Sequence, residues 1–191
     1  MDTNVLIVIG IGVVVVALIV ALVVERKRKS ARLKKQFGPE YDVVLRQHGD
    51  TRHAEAVLAE REKRVEKLSI HHLPAADRER YAEDWAGVQR RFVDDPSMAV
   101  HEADTLVIAV MAARGYPMSD FEQRAADISV HYPKMVQNYR SARAIAARHA
   151  QGQATTEELR QAMVHFRLLF DELLENPRTE RVEVAQGRIA S

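Results

Sequence analysis

Val5 to Val24, VLIVIGIGVVVVALIVALVV, is a run of twenty residues with no charge and no polar side chain, sixteen of them Val, Leu or Ile. As a helix rising 1.5 Å per residue, such a run matches the roughly 30 Å hydrocarbon core of a bilayer. At roughly −0.3 to −0.6 kcal/mol per central Val, Leu or Ile, the run favours insertion by several kcal/mol, with nothing charged to offset it. Its β-branched residues are poor helix formers in water, but in lipid only an internally hydrogen-bonded backbone is tolerated. A cleaved leader would show a basic start, a shorter apolar core and a small-residue cleavage site. Here the start is MDTN and the run stops at ERKRK, so the sequence predicts a retained transmembrane helix.

The flanks set an orientation. Residues 25–35 carry seven Lys/Arg (Arg26, Lys27, Arg28, Lys29, Arg32, Lys34 and Lys35) and one Glu, against Asp2 alone on the amino-terminal side. The positive-inside rule then predicts a single-pass protein, amino terminus outside and carboxy-terminal region in the cytoplasm. Those seven side chains are candidate contacts for anionic lipid head groups, the bilayer being the first expected partner. Removing the collar's +6 and Asp2 from the total of +1 leaves −4 for residues 36–191. A mildly acidic soluble part lacks the basic face that nucleic-acid binding requires. Ala17 and Ala21 form a small-xxx-small step, the expected contact for a weak homo-oligomer. The chain has no cysteine, which agrees with a reducing compartment.

Beyond the collar, helical patterns fill the chain and no period-two stretch is long enough for a sheet, so the fold class is all-α. Gly38-Pro39 breaks the first helix, and a short helix from Pro39 stops at Gly49. Asp50 is placed to cap a helix over Thr51–Leu68, with a thin apolar side and Glu60 and Arg64 at the favourable offset of four. Pro74 opens a helix striped with Tyr81, Trp85, Val88 and Phe92. Asp95-Pro96 starts the most apolar soluble helix, which Gly115 ends. The crowded stretch RGYPMSDFEQRAADISVHYP (114–133) then serves as a joint. Tyr116-Pro117 holds an extended link, Ser119 and Glu122 form a capping box, and Pro133 opens the next helix. A second box, Thr155 with Glu158, starts a helix carrying Leu159, Met163, Phe166, Phe170 and Leu173 at spacings of four and three.

The expected architecture is a transmembrane anchor with its basic collar (1–36), a charged helical stalk (37–72), a compact domain of four to five helices (73–174) and a flexible tail (175–191). No complete catalytic, cofactor or metal motif is present. Among eight histidines, none follows a Glu-x-x spacing and His101-Glu102 does not continue as HExxH. Asp127 and His131 share the i, i+4 spacing of a ligand pair but supply only two ligands. His71-His72 reads as a surface pair in a linker. Asp94, Asp95, Asp104, Asp120 and Asp127 read as helix caps and a solvated face rather than an acid/base pair.

The blocks FGPEYD, AEREKRVEKL, RFVDDP, EADTLV, MAARGYP, DFEQRAADISVHYP and LRQAMVHFRLLFDELL together resemble a family of small bacterial single-pass membrane proteins without an assigned activity. The resemblance covers most of residues 37–174; it implies a membrane-anchored protein and carries over no site. The leading expectation is a cytoplasm-facing helical interaction or scaffold protein with a protein partner. One alternative is a helical enzyme or small-ligand binder with its pocket near the 116–132 joint. The other keeps the anchor and places the domain outside the cytoplasm.

Overall fold

The computed structural model describes residues 3–175, excepting the side chains of 3–11, 14 and 15. Among the described residues the chain forms eight α-helices and no strand, as the patterns predict. They are α1 (Thr3–Phe37), α2 (Pro39–His48), α3 (Thr51–Glu66), α4 (Ala75–Arg91), α5 (Pro96–Ala113), α6 (Phe121–His131), α7 (Val136–His149) and α8 (Thr156–Leu174). They fall into two compact units, Met1–Ala59 and Glu60–Ser191. The tail expected after Leu174 lies, from residue 176 on, outside the described residues.

In the first unit, α1 is one unbroken helix of 35 residues. Val13, Val16, Leu18, Ile19, Val20, Leu22, Val23 and Val24 are all exposed, from 41% to 63%. No helix among the described residues is long and apolar enough to cross a membrane. Of the expected span, the side chains of 5–11, 14 and 15 lie outside the described set. The far end of α1 is different: Leu33 and Phe37 are fully buried, as are Val44, Ala54 and Leu58, with Tyr41 nearly so. The apolar side of α3 is thin, as its pattern predicts, and Ala54 and Leu58, four apart on that side, give this unit a buried face. Tyr41 Oη donates to Glu55 at 2.9 Å, tying α2 to α3, and Lys34 Nζ stands 5.2 Å from the Tyr41 ring centroid. Asp50 accepts from the His53 N–H at 2.9 Å, the cap expected of it.

In the second unit, α8 packs on both α5 and α7, α4 lies on α5, and α6 packs against α7. One core joins them. Trp85 and Phe170 stack at 4.6 Å, and Tyr139 meets Phe121 at 5.1 Å and Phe166 at 6.2 Å. The α8 stripe of Leu159, Met163, Phe166, Phe170 and Leu173 is buried in full. Each contributes roughly 1.5–3 kcal/mol as an upper bound.

Local signals place most helix ends. Asp95 accepts from Met98 N–H at 2.9 Å, and Thr155 and Glu158 form the reciprocal box. Two ends differ from expectation. The cap of α6 is Asp120, accepting from Gln123 N–H at 2.9 Å, while the Ser119 hydroxyl is buried without a partner. The Asp side chain reaches the N3 donor from one residue later, so the Ser119–Glu122 box does not form. α7 begins at Val136 rather than Pro133, because the Tyr132 carbonyl accepts from both Met135 and Val136 and closes a turn first. Gly115, at φ +94°, is required twice over: its backbone is left-handed, and an added Cβ would lie 2.5 Å from the Ser69 carbonyl oxygen.

Candidate functional site

Two places gather polar chemistry beyond what the folded helices consume. The first lies in the amino-terminal unit, where the collar turn of α1 faces the start of α3. Arg26, Lys27, Lys29 and Ser30 line an open groove of about 540 Å³ with Thr51 and Arg52. Its two acids are committed, Asp50 to the α3 cap and Glu55 to Tyr41. Of the remaining collar residues, Arg28, Arg32 and Lys35 are exposed and lie outside this groove, and Lys34 sits over Tyr41. Ala17 and Ala21 are exposed on α1. Arg52 and Thr51 were invisible in the sequence as groove residues, since they follow the collar by a helix and two turns.

The second place is the joint, in the second unit. The chain leaves α5 at Arg114, runs extended past Tyr116, and re-enters as α6. The linker before α4 lies alongside, His71 N–H donating to the Arg114 carbonyl at 3.0 Å. Arg114 is 4% exposed. Its Nε–H donates to the His71 carbonyl at 3.3 Å, and Nη1 donates to the Leu173 carbonyl at 2.8 Å and to the Tyr132 hydroxyl. Leu173 stands at the carboxy-terminal end of α8, where the helix dipole favours a cation. Tyr116 Oη bonds His131 Nδ1 at 2.8 Å. Burial raises the pKa of Tyr116 and Tyr132 above the ordinary phenol value, so both remain neutral. Desolvation, and after it the Arg114 charge, holds His131 below the ordinary imidazole value.

Asp127 and His131 do not converge on a ligand position. Asp127 is fully buried, and its Oδ1 accepts from Arg64 Nε at 2.8 Å, Arg64 Nη2 at 2.7 Å and Gln123 Nε2 at 2.8 Å. Arg64 therefore reaches across to α6 instead of pairing with Glu60. Nearby, Arg61 Nη1 donates to Ser129 Oγ at 3.3 Å. Of the five aspartates assigned to caps and a solvated face, Asp95 and Asp120 are caps and Asp94 is exposed, but Asp104 and Asp127 are buried in ion pairs. Burial raises the Asp104 pKa, against the pull of Arg143. Among the described residues no three metal-ligating side chains converge.

Beside the joint, Val65, Leu68 and Ile70 with His71, His72, Arg114, His131 and Tyr132 line a cavity of about 530 Å³. Glu66 and Glu172 stand in the same wall. A separate groove between α5 and α7 brings Ser97 Oγ within 2.7 Å of His149 Nε2. The third group that a Ser–His nucleophile needs is missing there, since His149 Nδ1 is buried without a partner. No protein-family model, no curated protein and no solved structure matches this chain.

Proposed function

We propose that this is a membrane-anchored helical protein that holds its carboxy-terminal unit at the cytoplasmic face of a bilayer as an interaction or scaffold module. The observation that carries the reading is on α1: eight large apolar side chains between Val13 and Val24 are exposed on a continuous helix, and Arg26 follows two residues later. So much contiguous apolar surface is incompatible with water and is satisfied by lipid or by a protein partner. Those eight alone favour insertion by about 2–5 kcal/mol. The residues at 5–11, 14 and 15, all apolar in sequence, extend the same run. Directly after it, Arg26, Lys27, Arg28, Lys29, Arg32, Lys34 and Lys35 meet anionic head groups at about 1 kcal/mol each when close to the surface. The resemblance to small bacterial single-pass proteins points the same way, and Ala17 and Ala21 are the contact for self-association.

Topology is tested by protease. The carboxy-terminal unit of the full-length protein is digested in inverted vesicles and protected in intact spheroplasts. Digestion in intact spheroplasts places that unit outside the cytoplasm and overturns the orientation.

A second reading, a small-ligand binder at the 116–132 joint, is favoured by one observation: the joint borders a cavity whose wall contains the buried Arg114.

A further inference from the structure

We infer that the joint cavity binds an organic oxyanion, a carboxylate or phosphate on a short apolar body, with Arg114 as the residue that receives its charge. This rests on the ligand-binder reading of the joint and names the class of ligand.

A guanidinium carries five N–H donors. In Arg114 the Nε–H goes to the His71 carbonyl, and the Nη1 pair goes to the Leu173 carbonyl and the Tyr132 hydroxyl. The hydrogen bonds of Arg114 thus run from Nε and Nη1, which leaves Nη2 for a guest. Arg114 forms part of the cavity wall, so a ligand there lies beside its guanidinium. Nη2 is also held in place, because the other three bonds fix the plane of the fork. A preorganised planar pair of donors is the arrangement that recognises carboxylate and phosphate.

The charge balance of the cavity favours an anion as well. Arg114 is 4% exposed, and its hydrogen bonds go to the His71 and Leu173 carbonyls and the Tyr132 hydroxyl, none of them a carboxylate. A buried cation is costly unless matched by a counter-charge. The Leu173 carbonyl and the dipole of α8 compensate it in part, with about half a charge at most. An anion in the cavity completes the compensation. Of the two acids in the wall, Glu172 is engaged with a partner of its own and Glu66 is exposed to water, where its repulsion is screened. His71 and His131 add ring nitrogens, and Val65, Leu68 and Ile70 give the apolar side that a bare inorganic ion would not use. The volume suits a small organic molecule.

The test uses full-length protein in lipid nanodiscs, with thermal unfolding followed by Trp85 emission. The probes are hexanoate, hexyl phosphate, hexanol and inorganic phosphate. Hexanoate or hexyl phosphate raises the midpoint, and hexanol at the same concentration does not. Leu68→Phe takes up part of the cavity, leaves the Arg114 side chain unaltered, keeps Trp85 the only tryptophan and weakens the response. Arg114→Lys keeps the charge, loses the fork and weakens binding by about tenfold or more. A response to hexanol equal to that of hexanoate keeps a ligand site but overturns the oxyanion. A response to inorganic phosphate alone overturns the apolar body. No response to any probe, with the unfolding transition intact, overturns both the inference and the binder reading. A response unchanged in Leu68→Phe puts the ligand elsewhere and overturns this site.

Discussion

Replacing Gly115 with Ala separates two costs that the joint imposes on one residue. The first is conformational: at φ +94° a residue with a Cβ pays about 1–2 kcal/mol for the left-handed backbone. The second is steric. The new Cβ would stand 2.5 Å from the Ser69 carbonyl oxygen and 3.2 Å from its carbonyl carbon, both backbone atoms that cannot rotate away. Relief requires the 69–71 segment to move. That segment holds the His71 N–H to Arg114 carbonyl bond and the Nε–H bond of Arg114 to the His71 carbonyl. Overpacking of this kind costs about 1–3 kcal/mol, for a total of about 2–5 kcal/mol. Gly152→Ala is the control in the same unit: φ is +70°, and nothing lies within 4 Å of the added Cβ. It pays the backbone cost alone. Thermal unfolding of both variants, followed by the single Trp85, reads the difference. At about 4 °C per kcal/mol for a unit of this size, Gly115→Ala melts about 4–12 °C below Gly152→Ala. Equal midpoints would mean that the 69–71 segment does not constrain the joint, and the packing of that linker against the end of α5 would be wrong.

Arg64→Ala removes the counter-charge of the fully buried Asp127 carboxylate and leaves it the Gln123 amide as donor. The loss in chemical denaturation is about 2–3 kcal/mol, below the usual range for a buried pair because Arg64 is 35% exposed; Arg64→Ala with Asp127→Asn recovers part of it. The pH dependence follows from His131, whose folded-state pKa lies below its unfolded value, with Arg114, Tyr116 and Tyr132 around it. As pH falls below about 6.5, the unfolded chain takes up the proton first and stability drops; His131→Gln flattens that slope in a pH series of unfolding midpoints. Trp85→Ala removes the stack on Phe170 and costs about 3–5 kcal/mol, read by circular dichroism as the tryptophan signal is lost.

Helix ends set by neighbouring residues were legible in the sequence. Asp50, Asp95 and the Thr155–Glu158 box are local hydrogen-bond patterns, complete within four residues. The stripe of α8 likewise follows from period alone. Asp120 taking the cap from Ser119 shows the limit of that method: both residues suit the role, and a shift of one residue decides between them. The joint was recognised as a joint, but its interior was not legible. The Arg64–Asp127 pair spans 63 positions and the Arg114–Leu173 bond spans 59, so no window of sequence contains either. Arg114 itself sits at the last turn of a helix, a position where an arginine is ordinarily solvated. Only the tertiary fold buries it.

Alkaline carbonate extraction of membranes carrying the full-length protein reads the proposed anchor itself, because it strips proteins held by charge or by partners and leaves those immersed in lipid. An anchored protein stays in the pellet, and stays there when all seven collar cations are replaced by Gln. Release of the unaltered chain into the supernatant would contradict the anchor.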